Sequence, residues 1–318
     1  MHIEFYMDSN VSKNTFLHKF LKLGFTNFNY SIKNLLKENL LLAIDLYLQR
    51  KNLCINKDNL DKTIAQKIIL VHYQSLALCS QSESNKLLLS SKLTEYIYRS
   101  AVAFPLANYC QLTPENVALE LVNCLYFVTK KISIFPTLDF HISLTNSAWI
   151  DFYLLPNSLK NWLEHPLILS KEKLNQGAIA PLTQIDRDLF PLQYVHSRCC
   201  SWLRLGEQEG LIKLPSQKIS WCNEEGDFWL SHGAEYRLIW QLLTVVDSWF
   251  EDSGKWSKLA FSLSEAFLAF EAECQFFGEV AQKTPNLAIA RLGLIALVQF
   301  WLKKLLEEKL NLVALTEV

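Results

Sequence analysis

The chain has 318 residues, half of them apolar and 20% charged, with 9 glycines and 9 prolines. That length holds two globular domains with sizeable cores, and the composition argues against extensive disorder. Its net charge is −1, but residues 1–185 carry 18 Lys+Arg against 14 Asp+Glu (+4) and residues 186–318 carry 13 against 18 (−5), so the second part is acidic.

The opening MHIEFYMDSN has early acids and no apolar core of the kind a secretory signal carries. No stretch reaches the roughly 18 unbroken apolar residues of a membrane span. The most apolar, Leu292 to Leu302, is interrupted by Gln299 and followed by lysines. These features point to a cytoplasmic protein that does not enter a membrane. Its eight cysteines form no CxxC pair and read as buried small side chains in a reducing compartment.

Residues 1–30 carry no motif. From Ser31 to Gln49, Ile32, Leu35, Leu36, Leu40, Ile44, Leu46 and Leu48 recur mostly at helical spacing. A second helix is expected from Thr94 to Asn108, kinked or shifted by Pro105. A third starts at TPENVALELV, with Thr113 as cap, Pro114 in the first position and Val117, Leu121, Cys124 and Leu125 on one face. DFHISLTNSAWIDFYLL then alternates as two short strands joined near Asn146 and Ser147. Pro156 opens a short helix bearing Leu159, Trp162 and Leu163. From Pro166 to Asp188 the periodicity weakens, marking a linker.

Beyond Leu189 the pattern turns to long helices. The first carries Leu192, Val195, Cys199, Trp202 and Leu203 and is expected to stop at Gly206. A polar loop follows, then a helix from Ser231 to Glu251 and another from about Ser257 to Val280. The last opens with Thr284 and Pro285 and is apolar nearly all round to Leu306, the mark of the bundle's most buried member. The expected fold is mainly α: a small α/β N-terminal domain followed by an all-α helical bundle.

In PLQYVHSRCCSWLR, from Pro191 to Arg204, the residues Gln193, Tyr194, His196, Arg198, Ser201 and Arg204 are spaced as in the first helix of the anticodon-binding domain of arginyl-tRNA synthetases. Weaker matches follow in family order. Glu235 with Leu238 and the LLTVV run resembles the second helix, LSEAFLAFEAECQFF resembles the third, and ARLGL (Ala290 to Leu294) resembles the segment that gives the DALR domain its name. IYRSAVAFPLANYCQLTPENVALELV looks like the family's N-terminal additional domain. HISLTNSAWIDFYLL resembles its closing hairpin, with Ala148 where the family has glycine and Asp151 where it has asparagine.

The resemblance covers residues 31–165 and 188–318 and implies two tRNA-contacting parts, one for the elbow and one for the anticodon stem-loop. Between them lie about 22 residues (166–187) where the family has its nucleotide-binding catalytic domain. His141-Ile142-Ser143-Leu144 falls in a strand segment and is not the family's ATP-binding tetrapeptide, and no KMSK-like loop occurs. The expectation is therefore a non-catalytic tRNA-binding protein, with no cofactor, metal or catalytic residue. The resemblance places RNA contacts at Gln193, Tyr194, His196, Arg198, Arg204, Phe276 and Phe277; in the N-terminal domain Lys130, Lys131 and Lys160 are read from their charge as phosphate contacts, beside the ordinary role of solvated surface lysines.

For each of these a purely structural role stands beside the RNA-binding one. Tyr194, His196 and Arg198 either tie their helix to its neighbours or meet an RNA loop through stacking and phosphate contact. Arg291 is either a buried structural cation or an RNA contact, and the aromatic cluster Phe267, Phe270, Phe276 and Phe277 reads as core, with Phe276 and Phe277 the two that could also stack on bases. His196 and Cys200, four apart, also form a conceivable nucleophile pair. Two further readings are a protein-interaction module whose acidic surface meets a basic partner such as a synthetase or the ribosome, and an arginine–tRNA ligase part completed by a separate catalytic chain.

Overall fold

The computed structural model describes residues 31–53, 68–71, 96–131, 140–145, 147–169, 189–213, 217–251 and 255–317. The chain is mainly α with a small antiparallel sheet. In chain order the elements are α1 (Ile32–Arg50), β1 (Ile68–Val71), β2 (Ile97–Ser100), α2 (Ala103–Cys110), α3 (Pro114–Lys131), β3 (Phe140–Leu144), β4 (Ile150–Leu154) and α4 (Pro156–Leu169). Then come α5 (Phe190–Gln208), α6 (Gly233–Glu251), α7 (Trp256–Glu273), α8 (Glu279–Lys283) and α9 (Pro285–Lys304). A π-helical turn, Leu305–Lys309, ends α9.

In the N-terminal part α1 buries Ile32, Leu35, Leu36, Leu40, Ala43, Ile44, Tyr47 and Leu48, nearly the face read from its spacing. Ser31 caps it, accepting from the Asn34 amide at 3.0 Å. α1 packs on α3, whose Val117, Leu121, Cys124 and Leu125 are all buried. The sheet order is β1-β2-β4-β3, with every pair antiparallel.

The helix expected from Thr94 to Asn108 is corrected: Ile97–Ser100 is a strand, and only Ala103–Cys110 is helical. Pro105 explains the boundary. It sits in the first turn of α2, where its missing N–H removes no intrahelical bond, while the β-branched and aromatic Ile97 and Tyr98 suit a sheet. The joint between β3 and β4 is held by the Thr145 amide donating to the Trp149 carbonyl at 3.0 Å, with Ala148 at φ 58° where the family resemblance has glycine. Asp151 is 1% exposed. Its carboxylate takes both ends of the Arg99 guanidinium at 2.7 Å, so the acid is spent on its cross-strand neighbour.

In the C-terminal part α9 is central. It contacts α4, α5, α6, α7 and α8, and it buries eleven of its residues, Ala288 to Leu302. By length and composition Pro285–Lys309 is apolar enough to cross a membrane, but most of that apolar surface is covered by the protein itself.

Two expected helix ends are corrected. Gly206 does not stop α5, which runs on to Gln208. It is a packing residue whose missing Cβ makes room for Ile212 and Leu292, and the turn at positive φ falls on Gly210. The third C-terminal helix does not reach Val280: α7 ends at Glu273 and Cys274 is already extended. The break is stabilised by an arginine from α9, described below, which satisfies a carbonyl the loop would otherwise leave open.

The two parts pack directly on one another. α1 lies against α6, and α4 against α9. Lys33 pairs with Glu251 at 2.8 Å, Lys218 with Glu164 at 3.5 Å, and the Tyr96 hydroxyl donates to the Tyr236 carbonyl at 3.3 Å. α4 continues through Pro166 to Leu169, into the segment read as linker; residues 170–188, the rest of it, lie outside the described residues.

Candidate RNA-facing surface on the helical bundle

α5 presents two kinds of side chain. Leu192, Val195 and Cys199 go into the core. On another side Phe190, Tyr194, Arg198 and Trp202 follow at intervals of four; Phe190 and Tyr194 are each 41% exposed. The Arg198 guanidinium lies 4.7 Å over the Trp202 ring and donates through Nε to Glu271 Oε1 at 2.6 Å. Trp202 Nε1 donates to the same oxygen at 2.5 Å. Trp202 in turn packs edge-on to Phe276 at 5.1 Å and tilted against Phe277 at 5.7 Å.

The loop after α7 is thereby fixed. Phe276 is 4% exposed and stacks on Phe270, so it belongs to the core, whereas Phe277 is half-buried at the rim. From the other side Arg291 of α9 donates to the Gln275 carbonyl, and its Nε donates to Glu235 Oε1 at 2.6 Å. Glu235 is fully buried, and its other oxygen accepts the His232 amide at 2.7 Å at the start of α6. Of the two roles open to Arg291, the structure shows the buried cation.

Gln193, His196 and Arg204 meet the C-terminal tail. Gln193 brackets it, donating to the Val313 carbonyl at 2.5 Å and accepting from the Leu315 amide at 3.0 Å. His196 is 1% exposed, with Nδ1 at 2.7 Å from the Leu315 carbonyl and Nε2 at 3.0 Å from Gln299 Nε2. A carbonyl can only accept and the amide nitrogen can only donate, so the ring is the neutral tautomer with its proton on Nδ1. Burial lowers its pKa further, which keeps it neutral near pH 7. Arg204 reaches Glu317 at 2.9 Å and Ser201 at 3.2 Å.

The nucleophile pairing of Cys200 with His196 fails on the same geometry. The thiol is 3.9 Å from Nδ1, the nitrogen already donating to Leu315, and burial pushes the thiol pKa up. Among the described residues no group of three or more His, Cys, Asp or Glu is arranged to hold a metal.

In the N-terminal part Lys130 and Lys131 close α3. Lys160 on α4 is half-buried beside Cys222, whose thiol it partly holds down against burial. The structure thus brings Arg198, Phe276 and Phe277 together with Trp202 and Glu271, leaves Tyr194 exposed one turn before Arg198, and sets Gln193, His196 and Arg204 on the tail. Trp202 and Glu271 carry no site signal in the sequence beyond Trp202 standing four residues after Arg198.

The tail clamp makes a local test. Gln193→Ala strands the Val313 carbonyl and the Leu315 amide, which should cost about 1–3 kcal/mol. Faster amide exchange at Leu315, with the core of α9 unchanged, would register it.

An arginine–tRNA ligase from Gloeobacter violaceus is 26% identical over 150 residues, which is 45% of this chain and 23% of that protein. This supports a distant relationship to that family, and the chain spans well under half the length of the relative it matches. No protein-family model matches the chain, and no solved structure matches it significantly.

Proposed function

We propose that this chain binds tRNA without charging it, through the Tyr194–Arg198–Trp202 side of α5 and the rim of the loop at Phe277. The carrying observation is the aromatic and cationic stripe on a fixed helix, Tyr194 exposed and Arg198 and Trp202 partly so, in a chain distantly similar to an arginine–tRNA ligase. A splayed RNA base stacks on an aromatic ring, and Arg198, held flat by Glu271 and Trp202, is presented toward phosphate at no further ordering cost. The reading without charging is supported by the sequence, in which only residues 166–187 separate the two segments that carry the resemblance. Lys130, Lys131 and Lys160 are proposed as secondary phosphate contacts of the N-terminal part.

Filter binding at low salt tests this. The full chain should bind tRNA at least tenfold more tightly than an unrelated RNA of equal length. Tyr194→Ala with Arg198→Ala should weaken it by about tenfold or more, since one base stack is worth about 1–3 kcal/mol. Incubation with arginine, ATP and tRNA should give no aminoacylated product. Equal affinity for both RNAs sinks the proposal. The −5 charge of residues 186–318 favours a second reading, a basic protein partner from the translation machinery. Ribonuclease-insensitive, salt-sensitive co-purification of such a partner would support it.

A further inference from the structure

The junction between the α/β part and the bundle is built around one buried carboxylate. Asp247, one turn before the C-terminal end of α6, is 6% exposed and receives three hydrogen bonds from the other part. Oδ1 accepts the Ser31 hydroxyl at 2.8 Å and the Lys33 amide at 3.1 Å, and Oδ2 accepts the Tyr98 hydroxyl at 2.8 Å. Ser31 is also the cap of α1, and Tyr98, fully buried, is the middle of the sheet. One side chain of the bundle therefore ties the first turn of α1 and the strand β2 to α6. Its charged and titratable neighbours are Lys33 on α1, whose ammonium is paired with Glu251 one turn along α6, and Tyr98 on β2. No cation bonds the carboxylate directly among the described residues.

We infer that Asp247 is a proton-operated latch between the two parts, closed most firmly when the carboxyl is neutral and loosened when it ionises. Ionised, the group accepts three bonds but is buried with no cation bonded to it, the nearby Lys33 ammonium being paired with Glu251; neutral, it avoids that desolvation and either hydroxyl can turn to accept its proton. Burial prevails over the three hydrogen bonds and lifts its pKa from 3.8 to about 6, while that of Tyr98, also buried beside the carboxylate, is raised well above its ordinary value.

The sign follows from linkage. The closed form holds its proton more tightly than the open one, so the contribution to closure is complete below pH 3.8 and lost as pH rises through about 6. For those two values the opening constant should rise about tenfold between pH 5 and pH 8. The inference does not depend on what the chain binds.

Hydrogen exchange on the full chain, corrected for intrinsic rates, reads this directly, because the Lys33 amide is itself a donor to the latch. Segments 31–36 and 97–100 should open about tenfold more at pH 8 than at pH 5 in the native protein. In Asp247→Asn, which keeps an acceptor for Ser31 and Lys33 but cannot ionise, the two should agree within about twofold. Tyr98→Phe removes one donor to the ionised form and should move the step to higher pH; it serves if the asparagine variant does not fold. A pH-independent junction in the native chain, or an unchanged step in either variant, overturns the latch.

Discussion

Arg291→Met should destabilise the bundle by about 3–5 kcal/mol, read as a fall in denaturant midpoint at an unchanged slope. Glu235 is fully buried and Arg291 nearly so. Removing the guanidinium leaves the carboxylate with the His232 amide as its remaining partner and opens the Gln275 carbonyl that shapes the loop after α7. The cost comes from an uncompensated buried charge, so it should shrink when that charge is removed as well. Glu235→Gln in the same chain should restore at least half of the loss. A single-variant loss below about 1 kcal/mol, or no recovery in the double variant, would show that the pair is not a structural keystone.

Trp221→Ala should cost a similar amount, about 3–5 kcal/mol, by a different mechanism. The Trp221 indole is fully buried and lies on the backbone of α9 at Gly293. A Cβ at Gly293 would come within 2.8 Å of the ring and 3.1 Å of Ile219, so Gly293→Ala alone should cost about 1–3 kcal/mol through overpacking. The two changes occupy the same space and cannot be additive. In the double variant the added methyl enters the hole left by the indole, and the total loss should fall below the sum of the singles by about 1 kcal/mol or more. Strict additivity in chemical denaturation would mean that the loop bearing Trp221 does not rest on this helix.

Much of the fold was legible because helical periodicity is local. The faces of α1, α3 and α4, and the all-round burial of α9, follow from spacing alone, as do the strands β3 and β4. β2 was not, because Tyr96 to Asn108 is apolar in both periods, and only pairing with β1 and β4 makes Ile97–Ser100 a strand. The end of α7 at Glu273 was hidden for a similar reason: LSEAFLAFEAECQFF keeps its spacing past Cys274, and the break is held by Arg291 from another helix.

The candidate site divides the same way. The spacing of Tyr194 and Arg198 puts them one turn apart on α5, but Trp202, read from its spacing as part of the core face, is placed beside Arg198 and Glu271 only by the packing of α7. Whether a polar residue of that helix is available depends on partners about 120 positions away: Gln193 and His196 are taken by Val313 and Leu315, while Tyr194 is left exposed. Phe276 and Phe277 are neighbours of one type, yet the first stacks on Phe270 in the core and the second lines the rim.

Sequence by itself determined the helical faces, the antiparallel hairpin, the apolar character of α9 and the family likeness, because each is written in residues a few positions apart. Tertiary structure alone decided which charges are spent: Arg291 on Glu235, Arg99 on Asp151, and Asp247 on Ser31, Lys33 and Tyr98. The physical reason is that a buried polar group takes its partner from whatever the packing brings within 3 Å, and spacing along the chain carries no record of that.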